Sequence, residues 1–201
     1  MILTLTGAGS VSARTITLTA DDCDMMAVIS EAHARLSWVP IMMGPGVCDT
    51  HTQMQLYPNM AAILRFPLDK IPKGQRITKA EFSVPVEYIG GTKEFHVRRM
   101  LAEWGTGVCH SYRMTFPKKL EWSKPGAKGI TSDRANKVSA VFKLEKPGVH
   151  TADVTEDIEL WYTGAVPNRG FVISLDDGVV YMTSFYPNGT NWKLQITYEP
   201  Q

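Results

Sequence analysis

From Ala80 to Tyr88 the chain reads Ala-Glu-Phe-Ser-Val-Pro-Val-Glu-Tyr, an unbroken alternation of two kinds of residue. Ala80, Phe82, Val84, Val86 and Tyr88 fall on one side; Glu81, Ser83, Pro85 and Glu87 fall on the other. Successive side chains of an extended strand point to opposite faces, so a period of two predicts a strand with one buried face and one wet face. A helix would scatter the same apolar residues around its circumference. Pro85 has no N–H to give to a ladder, which predicts an edge position or a bulge there. Gly90-Gly91 predicts a turn into a further strand over residues 94–101.

The pattern returns at Val138, Ala140, Phe142 and Leu144, and again at Trp192, Leu194, Ile196 and Tyr198. Short apolar runs occupy residues 61–66, 171–175 and 179–185, and turn signals separate them: Pro72 with Gly74, Pro125-Gly126, Pro147-Gly148, Asp177-Gly178 and Asn188-Gly189. Asp177-Gly178 predicts a hairpin between residues 171–175 and 179–185, because a tight type I′ turn wants positive φ at both positions. One short helix is predicted near 155–162, with Thr155 as cap, Glu156 and Asp157 in the first turn, and Ile158, Trp161 and Tyr162 at helical spacing. Many short strands with turns between them predict an all-β protein, an antiparallel β-sandwich of jelly-roll-like form. A chain of 201 residues suits one such domain, residues 20–201, preceded by residues 1–19 as an N-terminal strand or a signal remnant. Ile2 and Leu5, then Ile16 and Leu18, would let part of that segment pair as an edge strand. The small residues Ser10-Val11-Ser12-Ala13 look instead like the end of a secretory signal.

Charge narrows the function. Lys and Arg number 21 against 20 Asp and Glu, a net +1, which argues against a nucleic-acid binder or a polybasic membrane-surface protein. No apolar run approaches the ~18 residues a membrane helix needs, so membrane insertion is not expected. The short basic runs Arg98-Arg99 and Lys118-Lys119 read as solvated strand or loop faces. Three cysteines, Cys23, Cys48 and Cys109, leave at least one without an intrachain disulfide, and Cys23–Cys48 is the pairing expected if one forms. Cys48 with His51 and Cys109 with His110 are the soft-ligand pairs, but buried or paired cysteines explain them more simply than a zinc or copper site. Asp21, Asp22 and Asp24 could offer oxygens to a structural calcium, the only cofactor the sequence suggests; a solvated or capping loop is the simpler account. The sequence shows no Gly-x-Ser-x-Gly elbow, no phosphate-cradling glycine loop and no carboxylate pair that stands out, so catalysis is not expected.

A run of motifs resembles the DNRLRE-type domain, a family related to the carbohydrate-binding modules of alginate-degrading enzymes. It begins with Leu64-Arg65-Phe66-Pro67-Leu68-Asp69-Lys70-Ile71-Pro72-Lys73-Gly74 and continues into Ile77-Thr78-Lys79-Ala80-Glu81-Phe82. Trp104-Gly105-Thr106-Gly107, Glu121-Trp122, Asp153-Val154-Thr155 with Trp161, Asn168-Arg169-Gly170-Phe171 and Leu194-Gln195-Ile196-Thr197-Tyr198 follow in order. The resemblance spans about residues 61–200; the first third, with Asp21-Asp22-Cys23-Asp24 and a Met- and Cys-bearing stretch to Cys48, departs from it. It implies a secreted, extracellular or cell-surface β-sandwich module that binds polysaccharide without catalysis. It also implies that Trp104, Trp122, Trp161 and Trp192 are core residues. Trp38, Tyr57, Tyr112 and Tyr186, beside loop residues, are then the candidate ligand-binding rings, since flat exposed rings stack on sugar faces; Phe116 shares that setting. The alternative is a structural surface protein that assembles with copies of itself into a layer or filament, residues 1–19 adding to a neighbour's sheet edge.

Overall fold

The computed structural model describes residues 12–31, 53–91, 94–175, 178–183 and 192–201. In chain order the strands are β1 (Arg14–Thr19), β2 (Met25–Ser30), β3 (Gln53–Leu56), β4 (Met60–Arg65), β5 (Gln75–Gly90), β6 (Glu94–Arg99), β7 (Tyr112–Met114), β8 (Leu120–Glu121), β9 (Ala140–Lys143) and β10 (Gly148–Asp153). The helix α1 (Thr155–Tyr162) follows, then β11 (Phe171–Ser174), β12 (Val179–Thr183) and β13 (Lys193–Pro200). Two antiparallel sheets pack as a sandwich, as the alternation predicted.

Sheet one joins β1, β13, β5, β12 and β3, with β10 also on β5. Its six strands fill only four positions. Ser83 pairs with both Lys193 and Thr151, so β13 and β10 lie on opposite edges of β5. Val86 pairs with both Met182 and Gly148, so β12 shares the edge of β13. The two therefore run end to end along the long β5, and among the described residues Val84 and Pro85 stand opposite a gap between them. This gap explains Pro85. Val154 donates to the Ala80 carbonyl at 2.9 Å, so Ala80 directs its polar groups toward the β10 side, and alternate residues face alternate edges. Pro85 thus turns its missing N–H toward the gap, where no ladder bond is lost.

Sheet two runs β2–β4–β11–β6–β9. Between the sheets lies a core centred on Phe82, which meets Phe66, Phe142, Phe171 and Trp192 at centroid distances of 5.9–6.1 Å. The β4 sequence Met-Ala-Ala-Ile-Leu-Arg does not alternate in polarity because both of its faces are covered. Ala62 and Leu64 enter the inter-sheet core, while Ala61 and Ile63 enter a second apolar cluster on the outer face.

Three local expectations change. The hairpin at Asp177-Gly178 does not form: β11 pairs with β4 and β6, whereas β12 pairs with β3 and β5. The chain crosses between sheets there, and the turn signal marks the reversal without specifying that its flanks pair. Asp177 itself lies outside the described residues. Tyr88 is 50% exposed, although the alternation put it with the buried set. Tyr181 and Met182 pair with Tyr88 and Val86, so β5 carries an extra residue at Glu87, and this bulge inverts the facing beyond it. Thr155 does not cap α1 with its side chain: its Oγ accepts from Ala80 N–H at 2.8 Å, and Asp153 instead accepts from Thr155 N–H at 2.8 Å. The helix thereby seals the stretch of β5 that β10 does not reach. Tyr162 reinforces it, donating to the Pro72 carbonyl at 2.5 Å and accepting from Gln75 N–H at 2.9 Å. Residues 14–19 of the N-terminal segment form β1, paired in register with β13.

Candidate functional site

Between β6 and β9 the chain leaves sheet two and folds back over its outer face as a lobe, residues 100–139. Apolar side chains hold it there. Met100, Trp104, Val108, Trp122 and Ala127 pack on Ala27, Ile29, Ala61, Ile63 and Val172. Both indoles also donate hydrogen bonds, Trp104 to the Arg169 carbonyl and Trp122 to the Cys109 carbonyl, each at 2.8 Å. The buried Asp133 carboxylate accepts from three backbone N–H groups, of Ser123 at 2.9 Å, Lys124 at 3.0 Å and Gly129 at 2.9 Å. A Cβ on Gly129 would stand 2.5 Å from that carboxylate, so the closeness of this loop requires glycine.

On this mount sits the β7–β8 ribbon, whose turn carries a cis peptide bond between Phe116 and Pro117. Phe116 is 64% exposed, the most exposed of the large apolar side chains described. Lys119 places its ammonium 4.2 Å from the centroid of the half-buried Tyr112 ring, a cation–π pair. Contact with the Tyr112 hydroxyl raises the affinity of Lys119 for its proton. Residues 101–135 hold six basic side chains (Arg113, Lys118, Lys119, Lys124, Lys128, Arg134) and three acidic ones (Glu103, Glu121, Asp133). The net +3 exceeds the +1 of the whole chain, so the rest of the protein is net acidic.

Of the four rings singled out from sequence, Trp38 and Tyr186 lie outside the described residues. Tyr57 is 36% exposed at the turn from β3 to β4, and Tyr112 is half-buried on β7. The open ring is Phe116, which the sequence grouped with them without ranking it first. Lys118-Lys119, read as merely solvated, contains the cation that covers Tyr112. The four tryptophans expected in the core are all buried, Trp192 and Trp161 between the sheets, Trp104 and Trp122 under the lobe.

The acidic turn is already engaged. Asp22 accepts from Thr19 N–H at 2.7 Å and pairs with Lys70 at 2.5 Å, contacts that lower its pKa. Asp24 makes a two-pronged bond to Arg65, while Asp21 stays exposed. No group of three metal-ligating side chains occurs among the described residues. Cys23 is a half-buried thiol whose pKa is pushed up by burial and by the neighbouring aspartates; Cys48 lies outside the described residues. A concavity of about 230 Å³ opens at the start of α1. Its carboxylates are committed too: Asp157 to Arg99 at 2.8 Å, Glu156 to Lys137, and Asp153 to Thr155 N–H. Burial raises the pKa of Asp157.

His110 lies buried in the lobe with its ring against Gly126, and burial lowers its pKa below the ordinary 6.5. Its charge neighbours are Glu31, which opposes that shift, and Lys128, which adds to it. A depressed histidine pKa means that the unfolded chain binds the proton more readily. The associated stability is present above about pH 6.5 and is lost as pH falls from there toward the folded-state value. Thermal melts across pH 8 to 5 are expected to show a falling midpoint in that window, with the fall reduced in His110→Gln. Equal slopes in the two proteins would contradict the assignment.

No protein-family model matches the chain, and no curated protein is significantly similar to it.

Proposed function

We propose that this chain is a non-catalytic extracellular module that binds polysaccharide at the tip of the lobe. The observation that carries this reading is Phe116, an exposed aromatic ring in the turn of the same β7–β8 ribbon that carries the Tyr112–Lys119 pair. A flat apolar surface next to hydrogen-bond donors suits the face and rim of a sugar ring. The local excess of Lys and Arg favours an anionic polymer, whose carboxylates or sulfates would meet Lys118 and Lys119, while Arg113 is held by the Glu103 carbonyl. The DNRLRE-type resemblance supports the same class of function. The acidic side chains around the α1 concavity are held by internal partners, which makes the lobe tip the better contact surface.

Affinity electrophoresis through gels containing acidic or neutral polysaccharides tests the proposal. Retardation is expected in an acidic gel. Phe116→Ala should weaken it by about 1–2 kcal/mol, roughly five- to thirtyfold, with no change in melting temperature, because the ring contacts solvent and not the core. Lys119→Gln should weaken binding less in high salt than in low salt, as a screened charge contact requires. Failure of every gel to retard the protein, or full retention of binding by Phe116→Ala, would remove the lobe tip as the site.

A further inference from the structure

Sheet one ends at β10, whose one ladder partner among the described residues is β5. The groups β10 leaves unused follow from the register. Residue 154 directs its N–H at β5, and in an antiparallel ladder every second residue does likewise. Ala152, His150 and Gly148 therefore face β5, while Val149, Thr151 and Asp153 direct N–H and C=O outward. Those outward backbone groups bond no other described residue.

Two other edges are blunted. At β1 the Thr19 N–H is taken by Asp22. Strand β9 is four residues long and ends in Lys143. Strand β10, as long as β1 and β2, runs six residues in unbroken register with β5. It contains no Lys or Pro, and Val149 on it is 53% exposed. An unprotected straight edge of this kind is a template for another strand.

We infer that β10 is an interface at which two copies of this chain join their first sheets, antiparallel, about a two-fold axis. Only outward-directed residues can exchange ladder bonds, so Val149, Thr151 and Asp153 must meet the same three in the second copy. The register that uses all three sets Thr151 against Thr151 of the other copy, with Val149 opposite Asp153 on each side. It forms about six backbone hydrogen bonds. Both copies keep their core-facing side chains on one side of the joined sheet, since residues directly opposite share a face. Charge favours this orientation. The segment entering β10 carries Lys143 and Lys146 with one acid, Glu145, while the segment leaving it carries Asp153, Glu156, Asp157 and Glu159, of which Glu156 and Asp157 are already paired with Lys137 and Arg99. Antiparallel pairing brings the basic end of each copy to the acidic end of the other. The inference stands on the sheet edge and is independent of the polysaccharide proposal.

Sedimentation equilibrium of the full chain, from micromolar to millimolar, tests it. A reversible monomer–dimer equilibrium is expected. Thr151→Pro removes an outward N–H and leaves the backbone bonds to β5, losing there only the hydroxyl contact of Thr151 with Ser83, and should weaken dimerisation by roughly thirtyfold. Val149→Glu, which alters only an exposed side chain and sets a like charge against Asp153 of the other copy, should weaken it as well, and its melting curve shows whether the fold is intact. If Thr151→Pro fails to fold, Val149→Glu decides. A wild-type chain that stays monomeric at every concentration would overturn the inference. So would open-ended polymers, which need two different edges, or a dimer indifferent to Val149→Glu.

Discussion

Replacing Phe82 with alanine is expected to lower unfolding stability by about 3–5 kcal/mol, the range for emptying a large aromatic site in a packed core. Phe82 is fully buried and touches four other rings, from β5 itself out to Phe171 on β11 and Phe142 on β9. It therefore ties the two sheets together at their centre. A Phe82→Leu change should cost less, since it leaves a smaller void. Chemical denaturation followed by tryptophan fluorescence measures both, with Trp192 inside the affected cluster as a natural reporter. Typical domains hold only about 5–15 kcal/mol in total, so the alanine variant is expected to be partly unfolded near body temperature. A loss below about 1 kcal/mol would mean that the core is not organised around this ring.

Much of the sandwich could be read from residue order because its strands are half-buried. In β9 and β13 one face meets the core and one meets water, so the period of two is written directly into Ala140-Val141-Phe142 and Leu194-Gln195-Ile196; in β5 the alternation located the strand, but Ser83 and Pro85, expected on its wet face, are buried as well. Legibility fails where a second contact replaces water. Strand β4 shows a continuous apolar run because the lobe covers its outer face, and nothing in that run says what the cover is. The hairpin at Asp177-Gly178 fails for a related reason: a turn dipeptide fixes local φ and ψ, whereas partner choice depends on the distant β3, β4, β5 and β6. The bulge at Glu87 is likewise set by pairing with β12, and Pro85 signalled an edge or bulge only two residues before it.

The candidate site was half legible. Its rings were visible as aromatics beside Pro, Gly and polar residues, and Tyr112 and Phe116 were both in that set. Missing was the mount. Asp133 resembles any loop aspartate in sequence, yet it organises backbone from Ser123 to Gly129 through contacts that span up to ten positions. Lys119 resembles a solvated lysine, yet it lies on a ring seven positions earlier because β7 and β8 fold back on each other. Such roles arise from loop closure, and single-residue patterns do not encode it.

Asp133 is accordingly the position at which the lobe should be most vulnerable. Asp133→Ala removes the acceptor for three backbone N–H groups at once, one of them on the buried Gly129. Each donor left without a partner costs about 1–3 kcal/mol where water cannot reach it, and bonds to a carboxylate are at the stronger end. Ser123 and Lys124 are exposed enough for water to take over part of the role, so the net loss is expected near 3 kcal/mol. That loss should fall on the lobe first. The sandwich keeps its own core, Phe82 and its neighbours, whereas the lobe rests on the smaller cluster around Trp104 and Trp122. Hydrogen exchange should therefore quicken across residues 101–135 while β5, β11 and β13 stay protected, the behaviour of a sub-global opening. Asp133→Asn keeps one carbonyl acceptor and should fall between wild type and alanine. Retardation by acidic polysaccharide should follow the same order, because Phe116 and Lys119 can present one surface only while the ribbon beneath them is held. Unchanged exchange in the lobe of Asp133→Ala would show that apolar packing alone fixes it. Intact binding with a loosened lobe would separate the ligand surface from its proposed mount.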